Sequence, residues 1–289
     1  MIKRIVKHLS RVSDVFLRKL LIERDIKVFP DDIFLTSYPR SGNTWIRFLV
    51  GNLMHQDEPV TFLNLEHLVP DMYVHSDHEM RKLPRPRIIK SHECFDPRYK
   101  RIVYIVRDPR DVAVSNYYWE FKKGTFSDGY PMQEFVPRWM ESEYWPRLGC
   151  WGDHVTSWLS TRRNYQGFVL IRYEDLKRNT ELEISKIAGL LGIDPTPARL
   201  RRAAELSSAE RMRQLEMSEG AKWVQTRYTR LDTPFVRKAS SGGWKSVLPP
   251  ESVALIEASW GPLMQDLGYE LTTGNPGHPA RAFASQIKD

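Results

Sequence analysis

The stretch that decides the fold is Asp32-Ile-Phe-Leu-Thr-Ser-Tyr-Pro-Arg-Ser-Gly-Asn-Thr-Trp-Ile-Arg-Phe-Leu49. Ile33 to Ser37 is a short apolar run, which predicts a buried strand. Pro39 and Gly42 break that pattern. After Gly42 the apolar residues Trp45, Phe48 and Leu49 recur at helical spacing, so a helix starts near Asn43 or Thr44. A helix start presents unpaired N–H groups and the positive end of its dipole, which suits a phosphate or sulfate. Gly42 lets the backbone come close to such an anion, Arg40 adds a charge, and Ser41 and Thr44 add hydroxyl donors. The usual phosphate loop, Gly-x-x-x-x-Gly-Lys-Ser/Thr, does not fit, because there is a single Gly with Arg40 before it. The plainer alternative is an ordinary strand-to-helix turn capped by Ser or Asn.

The rest of the chain bounds the choice. Its 289 residues fit one large domain or two small ones, and 41% hydrophobic with 27% charged residues is ordinary for a globular protein. A net charge of +7 favours anionic partners without choosing among nucleotide, nucleic acid and membrane surface. Cys94 and Cys150 are isolated, which suggests neither a zinc site nor a disulfide scaffold. No apolar run approaches the ~18 residues of a membrane-spanning helix, and the N-terminus lacks a signal-peptide core. The default expectation is a cytoplasmic, reducing location.

Three segments are expected: a lead-in over 1–28, a main domain over 29–270 and a tail over 271–289. Residues 1–23 place Ile2, Ile5, Val6, Leu9, Val12, Phe16 and Leu20 on one face flanked by Lys and Arg, a basic amphipathic helix. It either packs on the body of the protein or touches an anionic membrane. Residues 55–86 read as loops with short helices. His75 and His78 there have no companion ligands and are read as solvated. Arg87–Glu93 contains a short strand, and Arg101–Val106 is a β-branched run ending at Arg107-Asp-Pro-Arg-Asp111. Asp108 or Asp111 then caps a helix, with Pro109 in its first turn. This repeats the strand-loop-helix arrangement with an arginine at the strand's C-terminal end, where open α/β sheets bind ligands. The aromatic residues of 117–151 fit a pocket wall and a helical core equally well. Phe168–Arg172 is a further strand, and 180–193, 196–206 and 251–267 read as helices. Alternating strands and helices give an α/β fold, a single domain with a mainly parallel central sheet flanked by helices.

Six blocks stand in order: Thr36–Trp45, Lys90-Ser-His92, Arg107–Ser115, Trp151-x-x-His-Val-x-x-Trp158, Tyr173-Glu-Asp-Leu-Lys177 and Phe235–Lys245. Together they resemble the cytosolic-type sulfotransferases, which use 3′-phosphoadenosine-5′-phosphosulfate (PAPS) and release PAP. The resemblance runs from about Phe29 to Leu267. It implies a P-loop-like PAPS-binding site in which Arg40, Ser41, Gly42, Asn43 and Thr44 hold the 5′-phosphosulfate and Trp45 stacks on adenine. It makes His92 the catalytic base, aided by Lys90 and Arg40. It assigns Arg107, Ser115, Arg237, Lys238 and Ala239 to the 3′-phosphate, and Tyr173, Ser207 and Met212 to the adenine side.

Four departures from the family pattern matter. Arg40 replaces a Lys, so the cation is planar and holds its proton more tightly. Ala209 replaces an aromatic, which loosens adenine packing. Ala239 replaces a Gly and disfavours a positive φ there. The Lys-x-x-x-Thr-Val-x-x-x-Glu dimer motif is absent, with Ala254 where its Glu would stand, so no dimer is carried over.

Sulfuryl transfer resembles phosphoryl transfer, in which positioning and charge stabilisation do most of the catalysis. A histidine suits removal of the acceptor's proton, and Lys90 and Arg40 suit the sulfuryl and leaving-group charge. No metal is expected. The expected activity is sulfuryl transfer to a hydroxyl of a small-molecule acceptor, with a glycan or lipid headgroup as the alternative within the class. A P-loop-type nucleotide kinase lacks its Gly-Lys-Ser/Thr here. A nucleic-acid-binding module has only the net charge in its favour, and nucleic acid is not an expected partner. A catalytically idle PAP-binding protein is disfavoured by the intact Lys90-x-His92.

Overall fold

A computed structural model describes residues 26–273. Its sheet contains β1 (Ile33–Ser37), β2 (Ile88–Ser91), β3 (Arg101–Val106) and β4 (Phe168–Arg172), in the order β2-β1-β3-β4 with every neighbouring pair parallel. Ile33 stands opposite both Ile88 and Arg101, and Ile102 opposite Phe168. Between β1 and β2 lie α1 (Asn43–Met54), α2 (Leu65–Leu68) and α3 (Asp77–Arg81). Between β3 and β4 lie α4 (Pro109–Lys123), α5 (Met132–Met140) and α6 (Trp151–Arg162). After β4 come α7 (Tyr173–Arg178), α8 (Thr180–Leu191), α9 (Pro197–Leu206), α10 (Ala209–Glu219) and α11 (Pro250–Asp266).

Side chains alternate along each strand, so one strand feeds two cores. Phe34, Ile89, Ile102 and Tyr104 face a core completed by residues of α4, α5, α6 and α11. Ile33, Leu35, Val103 and Ile105 face the other, completed by α1, α8 and α9. Burial on both faces is why these strands read as continuous apolar runs. Most of the aromatic segment belongs to the first core: Phe135, Trp139 and Trp151 are buried there. The helix α10 was not anticipated from sequence. Residues 1–25 and 274–289, which carry the expected N-terminal helix and nearly all of the expected tail, lie outside the described residues.

The strand order places the site. β2 lies on one side of β1, and β3 with β4 on the other, so the order reverses between β1 and β3. The crevice outside the strand ends at such a reversal is where doubly wound folds hold ligands. The loops after β1 and β3 flank it. Asp108 caps α4 by accepting the Arg110 N–H at 2.9 Å, with Pro109 in the first turn. The Arg110 guanidinium pairs with Asp108 at 2.7 Å and with Glu257 of α11 at 2.5 Å, and lies 3.9 Å from the centre of the Trp244 ring. The Glu257 carboxylate in turn accepts the N–H groups of Thr272 and Thr273.

Candidate active site

The loop after β1 makes the first wall of the cavity. Gly42 has φ +105°, a left-handed conformation that favours glycine. A Cβ at this position would lie 2.7 Å from Cδ2 of Tyr173, so Gly42 is required by space as well as by backbone. Gly42 precedes α1, and no side chain caps that helix start. The capped-turn alternative therefore fails, and the first-turn N–H groups remain for an anion. Asn43 lines the cavity, and its side-chain amide donates to Leu35 O at 2.9 Å and Ser37 Oγ at 3.2 Å, bracing β1. The Trp45 indole donates to Ser207 O at 2.9 Å and packs edge-on against Tyr173 at 5.5 Å.

Arg40 reaches across to the β3 side. It sits in the left-handed region at φ 68° and donates Nε–H to Ser115 Oγ at 3.3 Å. Its guanidinium lies 5.0 Å from the Trp119 ring and 4.6 Å from the Phe235 ring. Burial, then the neighbouring charges of Arg107 and Arg237, push it down to about 9. It remains a cation at neutral pH. Arg107 stacks on Tyr173 at 4.3 Å and donates to Ser240 O at 2.9 Å. Arg237 lies 3.9 Å from the Tyr118 ring, and burial pulls its pKa down as well. Three arginines thus converge, an arrangement that favours a polyanion.

Asp111 holds the far loop. Its carboxylate accepts Gly242 N–H at 2.7 Å and Trp244 N–H at 3.0 Å, and stands 3.9 Å from Arg107. Burial raises its pKa, opposed by Arg107 and the two N–H donors. In the same loop Ala239 takes φ 49°, so the positive φ expected to be disfavoured is adopted in spite of its Cβ. Lys238 and Ala239 line the cavity with Arg237.

His92 follows β2 directly. Its Nδ1 is 2.7 Å from Ser37 O, and a carbonyl only accepts, so Nδ1 carries a proton and Nε2 is the basic nitrogen whenever the ring is neutral. Its backbone N–H donates to the Tyr73 hydroxyl at 3.0 Å, and the two rings stack. The Lys90 ammonium donates to Asp71 Oδ2 at 2.6 Å. Arg40, Lys90, His92, Arg107 and Ser115 line the same cavity, with Tyr118, Trp119, Trp145 and Phe235 as its aromatic wall. The aromatic segment thus serves both as core and as wall.

A family model described as "Sulfotransferase domain" matches residues 30–268. The chain belongs to the sulfotransferase family. It is 26% identical to mouse Sulfotransferase 1 family member D1 over 88% of this chain and 95% of that one. It is 28% identical to mouse Sulfotransferase 1B1 over 84% of this chain and 86% of that one. Among solved structures, mouse sulfotransferase SULT7A1 complexed with PAP superposes with a TM-score of 0.68 at 21% identity, covering 89% of this chain and 91% of that one. Retinol dehydratase in complex with retinol and PAP gives 0.67 at 18% identity, covering 90% and 86%. These low-identity matches show the fold. The protein is a PAPS-dependent sulfotransferase.

The site of this sulfotransferase fits PAPS at Arg107, which lines the cavity and whose buried Nε has no hydrogen-bond partner among the described residues. An incoming phosphate oxygen would satisfy it. Ser41 Oγ is also buried and unpartnered among the described residues, but Ser41 does not line the cavity. Met212 and Ala209 line the cavity near Trp45, while Ser207 does not: its hydroxyl accepts the Asn52 amide at 3.0 Å. Ser207 acts through its carbonyl, by fixing Trp45. No group of three or more His, Cys, Asp or Glu placed to hold a metal occurs among the described residues. No helix among them is long and apolar enough to cross a membrane.

Sequence reading missed several residues that shape the site. The local pattern around Asp111 points only to a helix cap, and the block containing His154 gives that residue no role. Asp71 and Gln225 carried no local signal, because their partners are far away in sequence.

Proposed function

We propose that this sulfotransferase moves the sulfuryl group of PAPS onto the hydroxyl of a partly apolar small molecule, with His92 as general base. The observation that carries the proposal is the His92 Nδ1 to Ser37 O hydrogen bond of 2.7 Å beside the cavity that His92 lines, which makes Nε2 the basic nitrogen of the neutral ring. Bound PAPS supplies a sulfuryl group already activated by its phosphate leaving group. Arg107, Arg237 and Lys238 would hold its 3′-phosphate, the first-turn N–H groups of α1 with Ser41 and Thr44 its 5′-phosphate, and Trp45, Tyr173 and Met212 its adenine.

The residues of the chain then do three things. Arg40 and Lys90 hold fixed positive charge where negative charge grows, which needs no reorganisation of the site. His92 removes the hydroxyl proton as that oxygen attacks. Tyr118, Trp119, Trp145 and Phe235 exclude water and favour an apolar acceptor body. Retinol in the dehydratase structure is an apolar alcohol held by the same fold, which supports this acceptor class.

Calorimetric titration with PAP, AMP and ATP, the last with and without Mg²⁺, is the direct test. Tight binding of PAP with a large preference over AMP supports the assignment. Equal binding of PAP and AMP, or best binding of ATP with Mg²⁺, overturns it. His92→Ala is expected to bind PAP as the wild type does, within about threefold, and to lose turnover by at least about 100-fold. Wild-type turnover in that variant removes His92 as the base.

A further inference from the structure

Segment 70–72 runs beside β2 and forms a single parallel bridge in which Asp71 pairs with Lys90. Lys90 N–H donates to Pro70 O at 2.8 Å, and Met72 N–H donates to Lys90 O at 3.2 Å. Residues paired across a bridge present their side chains on the same face. The bridge therefore sets the Asp71 carboxylate beside the Lys90 ammonium, at 2.6 Å, with side chains 0% and 6% exposed. The second oxygen, Oδ1, accepts the Tyr73 N–H at 2.9 Å. Tyr73 in turn receives the His92 N–H on its hydroxyl at 3.0 Å. Oδ2 also accepts the Gln225 amide at 2.8 Å, from the segment that leads to Phe235.

A buried ion pair is a poor device for stability, because desolvating both charges offsets most of their attraction. Here the pair does something a hydrophobic pair cannot. One carboxylate fixes Lys90 with one oxygen and, through Tyr73, the His92 backbone with the other. We infer that Asp71 is a positioning residue for sulfuryl transfer: it sets the Lys90 ammonium and the His92 imidazole in one frame. The inference rests on the roles proposed above for Lys90 and His92. Asp71 touches neither donor nor acceptor, and acts through Lys90 and Tyr73.

Asp71→Asn keeps the shape and the acceptor at Oδ1 and removes the charge. Turnover is read as PAP released from PAPS with 4-nitrophenol, and as PAP released to water alone. Wild type, Asp71→Asn, Lys90→Gln, the double variant and His92→Ala are compared, with PAP affinity by calorimetry and Tm alongside. Asp71→Asn is expected to lower kcat roughly 10- to 100-fold, with KM for PAPS and PAP affinity within about threefold. If Asp71 works through Lys90, adding Asp71→Asn to Lys90→Gln costs little more, and the neutral double variant keeps the test open should the single one fold poorly. Wild-type kcat in Asp71→Asn, with His92→Ala and Lys90→Gln impaired, overturns the role of Asp71 and leaves the centre standing. Multiplying losses in the double variant, or a parallel loss of PAP affinity, also overturns it. Full turnover in both His92→Ala and Lys90→Gln overturns the centre itself.

Discussion

His154 Nε2 lies 3.0 Å from the carbonyl oxygen of His92, and its Nδ1 lies 2.9 Å from the Tyr104 hydroxyl. The carbonyl can only accept, so Nε2 carries the proton and Nδ1 accepts from Tyr104. A neutral imidazole thus links the centre of the sheet to the loop that carries His92. Burial drives its pKa down to about 4, against hydrogen bonds to the His92 and Glu93 backbone that favour the charged form.

This linkage predicts acid sensitivity. The unfolded chain protonates His154 near its ordinary value of ~6.5 and the folded chain only near 4. The unfolded state therefore binds more protons in that window. Stability is fully present above about pH 6.5 and lost as pH falls toward 4, by about 3 kcal/mol from this group alone. Urea denaturation at pH 7 and pH 4 measures it. In His154→Phe this part of the pH dependence is expected to vanish, while stability at pH 7 falls because the Tyr104 hydroxyl and His92 carbonyl lose their partner. An unchanged pH dependence in that variant rules the linkage out.

Arg107 is expected to set the preference for a 3′-phosphate. Its buried Nε lacks a partner among the described residues, and its Nη2 holds the Ser240 carbonyl. Arg107→Met should weaken PAP binding roughly 10- to 100-fold while leaving AMP nearly unaffected. Calorimetry on the two ligands separates this from general damage, which would weaken both.

Gly42 should tolerate no side chain. Gly42→Ala combines a positive φ with a Cβ only 2.7 Å from the Tyr173 ring. The loop must shift, and its N–H groups with it. PAP affinity is expected to fall more than tenfold by this route. Retained affinity in Gly42→Ala would show that the ring moves freely, and that the loop does not depend on it.

Ala239 carries strain that a glycine would relieve. In the left-handed region an L-residue costs about 1 kcal/mol. Ala239→Gly is expected to leave stability unchanged or raise it slightly, because relief in the folded state opposes the added freedom of the unfolded one. Ala254→Gly, inside α11, should instead lower stability by about 1 kcal/mol. Denaturation midpoints of the two variants check the contrast.

The sheet was legible because its strands are buried on both faces and read as apolar runs, and because Pro39, Gly42 and Pro109 punctuate them. The turn after β1 and the place of His92 at the end of β2 were legible from local patterns, and the roles proposed for them come from their resemblance to a family. What escaped was long-range. Asp71 meets Gln225 across 154 positions, and His154 meets His92 across 62. No window of sequence contains such pairs. Ser207 illustrates a second limit: the residue type suits a ligand contact, but its hydroxyl is spent on Asn52 and it does not line the cavity. Propensity also lost to packing at Ala239, where the loop held by Asp111 overrides the preference of the residue.

The contacts of Arg110 carry a practical consequence for handling the protein. Through Glu257 they fasten Thr272 and Thr273 to the helix that bears Ser115, and through Trp244 they reach the loop beside Arg237. A recombinant version ended before Thr272, or fused there to a rigid partner, would cut a brace of the nucleotide site that lies well over a hundred positions away along the chain. The end of the domain should therefore be treated as part of its ligand-binding architecture when expression boundaries are drawn.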